Sequence, residues 1–172
     1  MDTLEVLKTS RSCRKFKPDM VPDDLIEKVI EAGMYAPTGM GKQAPIIIAM
    51  TDKKVRDKMA EENANIMAAN TDPFYGGPVV LVVLAKKDVP THVYDGSLVM
   101  GNMLNAAHSL GLAGIWIHRA KELFESDYGK KILKDLGIND EYEGIGNCVI
   151  GYRDGEAPEA APRKKDYVYY IK

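Results

Sequence analysis

Two arginines and two serines fall within five residues at Ser10-Arg11-Ser12-Cys13-Arg14, and Phe16 follows. A guanidinium presents a planar fork of N–H donors that matches phosphate or carboxylate oxygens. Ser12 adds a hydroxyl between the two forks. The stretch reads as a small anion clamp, and its composition suits a solvated basic turn equally well. Cys13 also has two readings. Flanking arginines favour the thiolate and hence a reactive thiol, while a small side chain at that place simply fills a turn.

The other chemistry-bearing residues form no familiar machinery. His92, His108 and His118 lack metal-ligand spacing, so no metal is expected, and no Ser/His/Asp order suggests a hydrolase. There is no GxxxxGK[ST]. Gly144-Ile145-Gly146 lacks the third glycine of a dinucleotide fingerprint and leads into a strand. Anion-binding parts without visible acid–base groups fit an enzyme whose chemistry belongs to a bound cofactor. They also fit a plain binding protein.

The elements that must position these residues follow from periodicity. At 172 residues, with 45% apolar and 28% charged residues, the chain has the composition of one soluble domain, spanning 1–172. A net charge of −2 gives no global attraction for nucleic acid. The longest apolar runs, Ile46–Met50 and Val79–Ala85, are far short of the roughly 20 residues of a membrane helix, so no membrane partner is expected. The start of the chain does not read as a signal peptide. Two distant cysteines without a CxxC spacing fit a reduced, cytoplasmic protein.

Thr3 is placed to cap a first helix that ends near Ser10. A second, amphipathic helix runs from Pro22 to Ala36, where Pro37 stops it. Thr38–Pro45 is a loop, Ile46–Thr51 a short strand, and Lys53 to about Asn70 a helix. After a loop at Thr71–Pro78 comes Val79–Ala85, continuous and β-branched, as a central strand covered on both faces. Tyr94–Leu110 is apolar on most sides and reads as a buried helix. Ala113–Ile117 is a strand, Lys121–Leu136 a surface helix, and Gly146–Tyr152 a strand. Tyr167–Ile171 reads as a terminal edge strand, which seeks a partner. The sum is an α+β domain of four or five strands with helices packed on the sheet.

The ordered set of motifs resembles the nitroreductase family. Ser10–Phe16 after a first helix is similar to that family's opening. Ala36-Pro37-Thr38 with Gln43 five residues on resembles its Ala-Pro-Ser/Thr loop. Asp72–Val80, His108–Ile117, Gly144–Tyr152 and the Arg163-Lys164 tail complete the series. The resemblance implies a mixed, mainly antiparallel sheet flanked by helices and an obligate homodimer whose C-terminal strand or tail reaches the partner. It implies FMN as cofactor and NAD(P)H as co-substrate. Arg11, Ser12, Arg163 and Lys164 would hold the phosphate, with Cys13 in the same segment. Arg14 would stabilise charge at the N1/C2 edge of the ring. Pro37, Thr38 and Gln43 would come from the partner subunit, and Ile115 and Trp116 would back the ring. No side chain is assigned as acid, base or nucleophile.

Two departures stand out. Ser10 occupies a place where relatives often carry a basic residue, and His118-Arg119 follows Ile117 where they often carry smaller ones. The implied activity is hydride transfer from NAD(P)H through flavin N5 to a nitroaromatic, quinone or similar acceptor, in a ping-pong sequence. The rival readings are a flavin-fragmenting, dehalogenating or dehydrogenating relative, and a non-catalytic flavin-binding or storage protein.

Overall fold

Every residue from Val79 to Ala85 is fully buried, because this run is apolar on both alternating faces. It forms most of β2 (Val79–Lys86) in a four-stranded sheet with β1 (Pro45–Met50), β3 (Ala113–Ile117) and β4 (Tyr142–Gly151). The computed structural model describes residues 1–172. The strand order is β1-β2-β4-β3, and each pairing is antiparallel. A bulge between Val83 and Leu84 shifts the β2–β4 register.

Helices cover both faces: α1 (Thr3–Thr9), α2 (Asp23–Met34), α3 (Lys53–Ile66), α4 (His92–Ser109), α5 (Ala120–Glu125) and α6 (Asp127–Asp135). Val80, Val82 and Leu84 face Met59, Leu123 and Phe124. Leu81 and Val83 face Val29, Val99 and Met103 of α2 and α4. The period-two alternation of one strand thus organises two apolar layers.

Several boundaries differ from expectation. Asp2, not Thr3, caps α1, its carboxylate accepting from the N–H groups of Leu4 (2.9 Å) and Glu5 (3.2 Å). Helix α3 stops at Ile66, short of Asn70. Ala68 turns left-handed there (φ 52°), and the Ala69 N–H donates back to the Ala64 carbonyl at 3.0 Å. This is a Schellman-type ending without its usual glycine.

The surface helix expected over Lys121–Leu136 is two helices. Ser126 ends α5 and caps α6, its hydroxyl accepting from the Gly129 N–H at 3.3 Å. Strand β4 begins at Tyr142, so Gly144 and Gly146 lie inside it. A Cβ at Gly144 would stand 2.2 Å from the Ala120 carbonyl.

Two larger expectations fail. Tyr167–Ile171 is not a strand: one turn of 3₁₀ helix at Lys165–Tyr167 gives way to unpaired chain, and Tyr169 is 82% exposed. The sheet therefore has four strands. Helix α4 is not buried on most sides within one chain, for Tyr94 and Leu98 stand in solvent while Val99, Met100 and Met103 pack inward.

The α5–α6 corner tolerates no side chain at Gly129, whose added Cβ would lie 2.3 Å from the Leu123 carbonyl oxygen and 2.4 Å from Phe124 Cα. Because both are backbone atoms, Gly129→Ala is expected to destabilise the protein by about 1–3 kcal/mol. A urea melt checks this; an unchanged midpoint contradicts the close approach.

Candidate functional site

Strand β3 is an edge, and its free side is taken by the basic segment. The Cys13 N–H donates to the Gly114 carbonyl at 3.0 Å, and Ser12 bridges Gly114 in parallel. The Cys13 side chain is fully buried in the core, and its thiol donates to the Lys15 carbonyl at 3.1 Å. Cys13 therefore fills the turn: the whole residue is buried and its N–H is spent on Gly114. Further on, the Phe16 N–H reaches the Tyr75 carbonyl (3.4 Å) and the Lys17 N–H the Tyr152 carbonyl (2.8 Å).

Arg153, unremarked in the sequence, completes the anchoring. Its Nη2 donates to the Arg11 carbonyl at 2.8 Å. With the backbone fixed, Arg11 turns Nη1 onto the carbonyls of Lys8 (2.8 Å) and Ser10 (2.7 Å), leaving its buried Nε without a partner. Ser12 and Arg14 are exposed. Arg11, Ser12 and Arg14 therefore stand on one fixed segment.

Beside this segment lies a cavity of about 460 Å³ that Arg14 lines with Tyr75, Ile115, Trp116, His118 and Arg119. The Trp116 indole crosses Gly146, where a Cβ would lie 2.6 Å from Nε1, and that nitrogen is buried without a partner. The loop on the cavity's far side is held by Arg56, a buried residue of α3. Arg56 donates to the Gly77 carbonyl (2.9 Å) and to Asp72 (2.6 Å). Asp72 in turn accepts from the N–H groups of Phe74 (2.8 Å) and Gly76 (2.9 Å).

The end of β3 is fixed by two fully buried asparagines. Asn63 and Asn147 each donate a side-chain N–H to the His118 carbonyl at 3.1 Å. All peptides are trans, so the Arg119 N–H points away from these amides, and it has no backbone partner. Arg119 itself is left-handed (φ 71°), and its Nε donates to Asn63 Oδ1 at 2.9 Å.

Thr38 and Gln43 do not join this group. They line a separate cavity of about 390 Å³ with Met34 and Ala36, and the two cavities share no residue. Exposed Pro37 leads into this loop. The Gln43 N–H donates to the Thr38 hydroxyl (3.1 Å), and buried Asp95 of α4 accepts from the Gly39 N–H (3.0 Å). Arg163 and Lys164 lie on the exposed tail, with Lys164 Nζ 5.6 Å from the Tyr167 ring centroid. One chain therefore gathers Arg11, Ser12, Arg14, Ile115 and Trp116, and keeps Pro37, Thr38, Gln43, Arg163 and Lys164 apart from them. Burial pushes the other thiol, Cys148, up to about 12, so it stays protonated at neutral pH.

An α+β sheet with a basic segment laid along its edge strand has clear relatives. Residues 7–156 match the nitroreductase family profile, and the chain belongs to that family. It is 31% identical over 125 residues to a Methanothermobacter thermautotrophicus protein provisionally named NADH dehydrogenase/NAD(P)H nitroreductase. That match covers 67% of this chain and 60% of the relative's length. An NADPH-flavin oxidoreductase from Vibrio harveyi is 24% identical over 178 residues, 97% of this chain and 72% of its own.

Among solved structures, a nitroreductase with bound FMN from Desulfitobacterium hafniense DCB-2 superposes with a TM-score of 0.87 at 28% identity, over all of both chains. A nitroreductase with bound FMN from Bacteroides fragilis, at 22% identity and a TM-score of 0.91 over all of both chains, shares the fold.

Arg56→Ala should free the Asp72 loop. The Asp72 side chain is about a third exposed (35%). The expected loss of about 1–3 kcal/mol is therefore below the 3–5 kcal/mol of a fully buried broken pair. Amide exchange at Phe74 and Gly76 should quicken; unchanged exchange there would show that Arg56 does not hold the loop.

Proposed function

We propose that this chain binds FMN and acts as an NAD(P)H-dependent oxidoreductase of the nitroreductase type. The observation that carries the reading is the fixed Arg11–Arg14 segment along the edge of β3, with the Trp116-lined cavity opening beside it. The residues fit the group. Arg11 Nε and Trp116 Nε1 are buried donors without partners, and Arg11, Ser12 and Arg14 have the donor chemistry of a phosphate-and-ring site. The FMN-bound D. hafniense relative supports the same assignment.

When bound, FMN would supply ping-pong hydride chemistry at N5 between NAD(P)H and a nitroaromatic, quinone or similar small acceptor. Arg11 and Ser12 hold the phosphate, joined by Arg163 and Lys164 of the tail. Arg14 sets a fixed cation at the N1/C2 edge, where negative charge develops. Ile115 and Trp116 would back the ring, and Cys13 would anchor the segment that carries Arg11, Ser12 and Arg14. The Arg119 N–H, turned away from the two asparagines, would be the donor to N5.

Pro37, Thr38 and Gln43 act from a second copy. Their separation from Arg14 within one chain and the exposed face of α4 at Tyr94 and Leu98 support that assignment. A homodimer with two sites is the working unit. No helix is long and apolar enough to cross a membrane, and two unpaired cysteines suit a reducing cytoplasm.

The purified protein should be yellow and bleach anaerobically with NADH or NADPH. Yellow protein that neither donor reduces would favour a flavin-binding role, and protein that takes up no FMN would end both readings. Arg14→Ala should weaken FMN binding about tenfold, the scale of one charge-assisted contact, and slow flavin reduction. Unchanged reduction kinetics would remove Arg14 from this role. In size-exclusion chromatography the flavoprotein should run at twice the chain mass, and a flavin-bearing monomer would contradict the shared site.

A further inference from the structure

The FMN reading leaves one cation of the cavity without a task. Five titratable side chains line the cavity beside β3: Arg14, Asp72, Tyr75, His118 and Arg119. Asp72 is neutralised by Arg56 at 2.6 Å, and Arg14 serves the ring edge. Arg119 also lines an adjoining cavity of about 630 Å³, so its side chain stands where the two spaces meet. The acids of that second space do not engage it. Glu143 pairs with Lys121 at 3.3 Å, and Glu122 is exposed.

Arg119 is also held as a recognition group would be. Its backbone is set by the carboxamides on the His118 carbonyl, and its Nε is tied to fully buried Asn63 at 2.9 Å. Both terminal nitrogens, Nη1 and Nη2, are left without a hydrogen-bond or ion-pair partner in the protein. A half-buried guanidinium with one nitrogen anchored and two free is a preorganised fork for a carboxylate. Restricting its rotamers before binding lowers the ordering cost of the contact.

We infer that Arg119 is a specificity-determining residue that reads a carboxylate on the electron acceptor, so that the preferred acceptors are acidic aromatics. This rests on the oxidoreductase reading above. The carboxylate lies on the acceptor rather than the nicotinamide donor, whose anionic groups are phosphates remote from its reacting ring. Asn63 is the positioning residue behind Arg119.

The test compares 4-nitrobenzoate with its neutral isostere 4-nitrobenzamide on the FMN-loaded protein. Kd is measured by calorimetry on oxidised protein, and kcat/KM with whichever nicotinamide reduces it. The unmodified protein should favour the carboxylate. In Arg119→Gln the carboxylate-to-amide ratio should fall about tenfold in both Kd and kcat/KM, and Arg119→Lys should recover part of it. Asn63→Ala should lower the same ratio through KM rather than kcat.

Equal affinity for the two compounds in the unmodified protein, or a ratio unchanged in Arg119→Gln, overturns the inference. So does an effect confined to the KM of the nicotinamide, which would assign Arg119 to the donor. If neither nicotinamide bleaches the flavin while the calorimetric ratio still depends on Arg119, the carboxylate site stands and the oxidoreductase reading falls.

Discussion

The site depends on one edge being closed by a short basic segment rather than by a fifth strand. The Cys13 N–H on the Gly114 carbonyl, at 3.0 Å, satisfies part of the outer side of β3, and the buried Cys13 side chain locks the segment to the core. A fully paired strand would have committed its backbone N–H and C=O groups to a ladder. A single parallel bridge leaves Ser12 and Arg14 exposed while holding their backbone still. Two positive side chains on a floppy turn would lose conformational entropy with each ligand; on this segment much of that ordering is already in place. Arg153 extends the same logic by occupying the Arg11 carbonyl.

The sheet was legible because its signal is redundant. Val79–Ala85 is apolar at every position and β-branched at most, and Ala113–Ile117 falls between a helix-ending glycine and a polar pair. Legibility failed where geometry came from long-range contact or from a residue outside its usual role. Ala68 accepts a left-handed turn that glycine normally marks. Ser126 divides one apparent helix into two, because Gly129 must pass against the α5 backbone. Tyr167–Ile171 has the composition of a strand and no neighbour to pair with in its own chain. Alternating or aromatic-rich sequence signals the capacity to pair, whereas a strand exists only where a partner supplies hydrogen bonds.

The candidate site divides along the same line. Arg11, Ser12, Arg14 and Trp116 could be read from local motifs because each motif sits on its own element. Arg56 with Asp72, Asn147 with the His118 carbonyl, and Arg153 with the Arg11 carbonyl carried no local signal. They are 16, 29 and 142 residues apart, and only the folded sheet brings them together. What sequence identifies is the layer of chemistry-bearing side chains. What it hides is the layer that holds those groups in place.

That hidden layer explains an otherwise expensive choice at the end of β3. Asn63 and Asn147 are fully buried, and Asn147 Oδ1 has no partner. An apolar pair of similar size would avoid the desolvation of two carboxamides. Yet an edge strand running out into a loop has no ladder to orient its last peptide. Two amide donors on one carbonyl supply that orientation, and trans geometry transmits it to the next N–H. The polar groups are therefore placed where a rotated peptide would swing the Arg119 N–H back toward the two carboxamides. Arg119 can adopt φ 71° at this point because its side chain is drawn onto Asn63. The same asparagine thus fixes both the backbone donor and the guanidinium beside it.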